Sequence, residues 1–108
     1  MSAQLPKSVK VGGHTYRVLF PYGFRERTDL AGQTDHQLLE MRIAEVDSSG
    51  NVRAPTTVEE TFIHELLHAV DRVYNGHSLS EEQVMRLSEG LYQTLKDSGL
   101  LALQPPEA

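Results

Sequence analysis

The chain has 108 residues, 15 acidic against 10 basic, a formal net charge of −5 and no cysteine. That length suits one small domain with a modest core. Disulfides and thiolate metal sites are excluded, and the absence of a Lys/Arg cluster argues against a nucleic-acid partner.

The opening "MSAQLPKSVK" lacks the apolar run of a signal peptide, and no segment is long enough to span a bilayer. A cytoplasmic protein with no membrane partner is therefore expected. The whole of 1–108 reads as a single domain, with 1–7 and 100–108 loosely ordered. "VKVGGHTYRVLF" reads as a hairpin turning at Gly12-Gly13, with Val11 opposite His14 and Val9 opposite Tyr16. Val9, Val11, Tyr16, Val18 and Phe20 then share one apolar face. Residues 21–35, with Pro21, Gly23, Asp29, Gly32 and Asp35, read as loop. Leu39, Met41 and Ile43 alternate with Glu40 and Arg42, so a strand is expected over Leu38–Val46. "DSSGN" at 47–51 is turn chemistry, and Pro55 closes the loop that follows.

Thr57 and Glu60 form a T-x-x-E pattern that predicts a capped helix from about Val58 to Tyr74, stopped by Asn75-Gly76. Ser80 and Gln83 open a second helix in the same way. Val84, Leu87, Leu91 and Leu95 would be its buried stripe, and Asp97-Ser98-Gly99 its end. Strands followed by helices define an α+β fold. About three antiparallel strands would pack on the first helix, with the second helix behind.

The first helix carries His64-Glu65-Leu66-Leu67-His68, the H-E-x-x-H pattern. Ile63, Leu66, Leu67, Val70, Val73 and Tyr74 set its expected apolar stripe. His64 and His68 lie roughly 110–150° from the centre of that stripe at 100° per residue. They are one turn apart on one face, so both imidazoles can reach a single ion. Zinc suits such a pair, with a third protein ligand and an open position for water. Zinc lowers that water's pKa to around 7, and Glu65 stands beside it as general base. A metal-free surface helix with two ordinary histidines is the competing interpretation.

A third ligand must come from elsewhere. The metzincin pattern would need Gly at 71 and His at 74, where this chain has Asp71 and Tyr74. A glutamate from the following helix is the other arrangement, and Glu81 and Glu82 both stand in its first turn. With that helix's stripe centred near Val84, Glu81 lies roughly 60° off and Glu82 roughly 160° off. Glu81 is the better placed, and His77, in the loop between the helices, stays open beside Glu82. Asp71 is either a hydrogen-bond partner of a ligand histidine or a surface charge. Tyr74 and Tyr92 are candidates for oxyanion stabilisation, although core packing suits both better. His14 and His36 read as surface or strand-edge residues.

Taken together, "VGGHTYRV", "AGQTDHQLLEMRI", "ETFIHELLHAVDRVY" and "LSEEQVMRLSEGLYQTLKD" resemble the small phage- and prophage-type zinc metallopeptidases. These are compact gluzincin-like proteins near the ImmA/IrrE group. The resemblance covers most of the chain. It implies a small sheet on an active-site helix, Zn²⁺ on His64 and His68, and Glu65 as catalytic base. Matching "EEQVMRLSEGLY" to that group's E-x-x-A-N-x-F-A-x-x-L-L run puts Glu81 at the ligand place, with Met85 where a polar residue is usual. The expected activity is zinc-dependent hydrolysis of a peptide bound as an extended strand, on the edge of the Leu38–Val46 strand. The alternative is a catalytically silent metal-binding regulatory or interaction module of phage or prophage origin.

Overall fold

In the computed structural model of the chain, residues 4–25 and 29–101 are described. Strands β1 (Ser8–Val11) and β2 (His14–Leu19) pair antiparallel with Val11 opposite His14 and Val9 opposite Tyr16. Gly12 turns the chain at φ +61, a conformation other residues adopt at a cost. A Cβ there would also stand 2.7 Å from Val73 Cγ1, so the glycine lets the turn lie against the first helix.

Two further strands complete a four-stranded sheet in the order β1-β2-β4-β3. β4 (Glu40–Ile43) runs parallel to β2 and antiparallel to β3 (Gly32–Asp35). The sheet is therefore mixed rather than antiparallel, and it has four strands rather than three. Two further expectations are corrected. Residues 32–35, expected to be loop, form β3. The strand expected over Leu38–Val46 is shorter and lies inside the sheet, so the edge beside the first helix belongs to β3. The cause is local. Asp35 Oδ1 accepts hydrogen bonds from the backbone N–H of Gln37 and Leu38, which makes a tight turn. Leu39 then sits at φ 56, outside the strand conformation. On β4, Met41 and Ile43 are fully buried, as their alternation predicts.

Helix α1 (Pro55–Tyr74) begins earlier than its sequence pattern suggests, with Pro55 in its first turn. The cap position is Ala54, no side chain caps it, and the Thr57/Glu60 box does not form. Proline's fixed φ suits the first helical position, where its missing N–H costs nothing. Helix α2 (Glu81–Asp97) starts as expected. Ser80 Oγ accepts from Gln83 N at 3.1 Å, and Gln83 Oε1 accepts from Ser80 N at 2.8 Å. It ends at Ser98.

The buried faces differ from the predicted stripes. α1 lies between the sheet and α2, and it buries Val58, Phe62, Ile63 and Ala69 against Tyr16, Met41 and Ile43. Val70 and Tyr74 are exposed instead. On α2 the stripe is Val84, Ser88 and Tyr92, while Leu87 and Leu91 are 53% and 45% exposed. Residues at i, i+4 and i+8 meet α1, and small Ser88 at their centre leaves room for a side chain from α1. Leu5, within the segment expected to be a loose lead-in, is buried in the core. Residues 1–3 and 102–108 lie outside the described residues. Among the described residues no helix is long and apolar enough to cross a membrane.

The join between the helices rests on Asp71, which is only 2% exposed. Its carboxylate accepts from Asn75 Nδ2 at 2.9 Å and from the backbone N–H groups of Ser78 and Leu79 at 3.2 and 3.3 Å. Burial works against its charge, but these donors outweigh burial and hold its carboxyl below the usual carboxylate value. Such a group stabilises the fold above its unfolded value of about 3.9 and loses that contribution as pH falls through the folded value. Thermal unfolding of the wild type and Asp71→Asn, each at pH 7 and pH 3, should show it. The variant is expected to melt lower at pH 7, with the gap closing at pH 3.

Candidate metal centre

His64 and His68 project from α1 toward the first turn of α2, where Ser80 caps the helix and Glu81 opens it. A carboxylate in that position is favoured by the helix dipole. Glu81 Oε1 lies 2.7 Å from His64 Nε2, and its Oε2 lies 2.9 Å from His68 Nε2. The two imidazole rings meet edge to face at 4.9 Å. One donor atom from each of the three residues falls within 4.8 Å of the others.

Ser88 bears on the chemistry of this donor set. Its hydroxyl donates to Met85 O at 3.0 Å, and its oxygen lies 3.4 Å from His64 Nδ1. That favours a proton on Nδ1 and leaves a lone pair on Nε2, the tautomer a metal ligand needs. A lone pair facing a carboxylate oxygen at this distance is repulsive unless a proton or a cation lies between them. Two imidazoles and one carboxylate are also a zinc-type donor set. A proton satisfies the 2.7 Å contact as a hydrogen bond, and the donor set itself is what fits a divalent metal.

Glu65 lines the same cleft as the three but is not in the donor cluster, and it is only 5% exposed, on the α1 face that meets the sheet. Thr34 of β3 donates to its Oε1 at 2.7 Å and to its backbone carbonyl at 3.1 Å. Burial pushes the Glu65 carboxyl above the usual value, and the Thr34 hydrogen bond and the two histidines pull it part of the way back. Gly32 makes the close approach of β3 possible. A Cβ there would stand 2.8 Å from Thr61 Cγ2 and 2.9 Å from Glu65 Oε2. The cleft over the site is lined by β3 on one side and the start of α2 on the other.

The remaining candidates lie elsewhere. Glu82 is exposed and pairs with Arg86 at 2.7 Å. His77 lines the same cleft as His68 and Glu81 but is not in the donor cluster. Asp71 touches neither histidine; it holds the inter-helix loop. Tyr74 is 71% exposed and its ring lies near Gly12, at the hairpin turn. Tyr92 donates to Glu59 at 2.6 Å, and burial together with that carboxylate pushes its hydroxyl pKa upward. His14 is exposed at the hairpin turn, and His36 follows β3 beside Tyr16. Sequence reasoning missed Thr34, Gly32 and the contact of Ser88 with His64. Only Gly32 carried a signal, as an isolated glycine, and it opens β3.

Comparison of the chain with known protein families, with curated proteins and with solved structures gave no match.

Gly32→Ala tests the packing of β3 on Glu65. The new methyl has no room and Glu65, being buried, has little freedom to yield. The substitution should destabilise the protein by about 1–3 kcal/mol, read from the midpoint of urea unfolding. An unchanged midpoint would mean that β3 does not press on Glu65.

Proposed function

We propose that the chain is a metal-dependent hydrolase built on the H-E-x-x-H helix. More narrowly, it is a zinc metallopeptidase of gluzincin-like type that works on extended peptide segments in the cytoplasm. The observation that carries this reading is Glu81 bridging His64 Nε2 and His68 Nε2 at 2.7 and 2.9 Å, one helical turn of α1 presenting both rings to it. His64, His68 and Glu81 would hold the zinc. When bound, zinc supplies Lewis acidity to a water and to a carbonyl oxygen.

The chain's own residues supply the rest. Thr34 occupies Glu65 Oε1, so Oε2 is the oxygen left to take a proton. A carboxyl raised by burial holds that proton more readily than a solvated one, and can pass it to a departing amine. Ser88 keeps His64 in the tautomer that presents Nε2. The outer edge of β3 offers backbone N–H and C=O groups to a peptide lying along the cleft.

Metal analysis and a cleavage assay test this together. Wild-type protein should carry zinc. His64→Ala and Glu81→Gln should bind it more weakly, for His64→Ala by more than about 100-fold, since even losing a supporting contact costs about 10–100-fold. Glu65→Gln should keep its zinc while peptide hydrolysis falls by about 10²–10⁴-fold. A wild type without affinity for zinc overturns the reading. Zinc without cleavage that depends on Glu65 leaves a catalytically silent metal-binding module.

A further inference from the structure

The cleft continues past His68 to an arginine and two histidines that the proposed chemistry does not use. Arg72, in the last turn of α1, lines a hollow with Gln33, Thr34, Asp35, His36 and Gln37. That hollow shares Gln33, Thr34 and His36 with the cleft over the candidate metal centre. His77 closes the far side. Its ring lies 5.6 Å from that of His36, and Arg72 Nη1 donates to its Nδ1 at 3.4 Å. His36 shares a hydrogen bond with Tyr16 through Nδ1 at 3.2 Å, which leaves its Nε2 without a partner among the described residues.

Arg72 carries the positive charge of this group, and the Asp35 carboxylate in the same hollow is paired with Arg42. Among the described residues Arg72 forms no ion pair with a carboxylate. The nearby acids are already engaged. Asp35 Oδ1 accepts from Gln37 and Leu38, and its Oδ2 accepts from Arg42. Asp71 is taken up by Asn75, Ser78 and Leu79. Burial, and after it the charges of Arg72 and His77, hold His36 below the usual histidine value. The other end of the cleft has the opposite character, with Glu60 and Glu89 lining it beside His64. In a chain of net charge −5, an arginine without a carboxylate partner among the described residues, beside the candidate catalytic cluster, is a local feature with an electrostatic direction.

We propose that Arg72, His36 and His77 form a subsite for a carboxylate of the bound peptide, on the His68 side of the site. Arg72 supplies a planar fork of donors that matches a carboxylate. His36 and His77 add ring N–H donors on either side. The carboxylate is either a peptide C-terminus or an Asp/Glu side chain. This inference rests on the peptidase reading for its biological sense, but its test reads binding alone.

The 108-residue protein, as purified, is titrated with four probes at low salt. These are acetyl-triglycine with a free C-terminus, its amide, acetyl-Gly-Glu-Gly-amide and the Gln counterpart. At least one carboxylate probe should bind about three- to tenfold more tightly than its neutral partner, and added salt should erode the preference. Which probe gains shows whether the terminus or a side chain is recognised. Arg72→Ala should abolish the preference and Arg72→Lys should keep part of it. Arg72 is exposed, so circular dichroism should show an unchanged fold; His77→Ala, in the loop, gives a second reading with a smaller loss. Equal binding of acid and neutral probes overturns the subsite. So does a preference that survives Arg72→Ala, because a carboxylate drawn to the metal would behave that way. Failure of the peptidase reading shows separately, as no cleavage of any probe or library peptide, with the binding preference intact.

Discussion

The carboxylate of Asp71 decides where the second helix starts. It sits at the end of α1 and gathers the N–H groups of Ser78 and Leu79, so the loop after Gly76 can leave in one direction only. Ser80 then caps α2 and Glu81 follows at once. A glutamate side chain is long enough to reach a histidine on the neighbouring helix, but rotamer freedom gives it many other places to point. The restriction comes from fixing its backbone. An internal hydrogen-bonded acid with no part in the candidate chemistry thus sets the distance on which that chemistry depends.

The second determinant is how α1 divides its surface. One face meets the sheet, another meets α2, and the histidines fall on the seam between them. Glu65 lies just inside the sheet-facing side, where a charge is costly unless it is hydrogen-bonded. Thr34 provides that bond and Gly32 the space. Both come from β3, the least apolar strand of the sheet, so its polar sequence follows from what it must touch.

Much of this is legible in the sequence itself. The Gly12-Gly13 hairpin, its register and the Ser80/Gln83 cap are local patterns, and local patterns carry their own geometry. Helical phase also separated Glu81 from Glu82, because both positions are fixed relative to one stripe. What was illegible depends on contacts between distant parts of the chain. "GQTD" shows no apolar alternation, since its partners are a buried carboxylate and a helix rather than a core. The α2 stripe was rotated because Ser88 is buried for its small size and its position next to His64, not for hydrophobicity. Asp71 looks like any surface acid in sequence, as its partners are backbone N–H groups that every residue has. The start of α1 was misplaced because proline at the first turn competed with a capping pattern that never forms.

The shortness of β3 has a further consequence. A free strand edge invites other strands, and many proteins blunt it with polar residues or brevity. This edge has both, with four residues of Gly, Gln, Thr and Asp. It offers too few backbone partners to hold another chain by itself and has no apolar side to nucleate stacking. Two copies of the protein therefore gain little from joining at β3. A visiting strand stays only as long as side-chain contacts in the cleft retain it, so the same brevity that resists self-association also favours rapid departure.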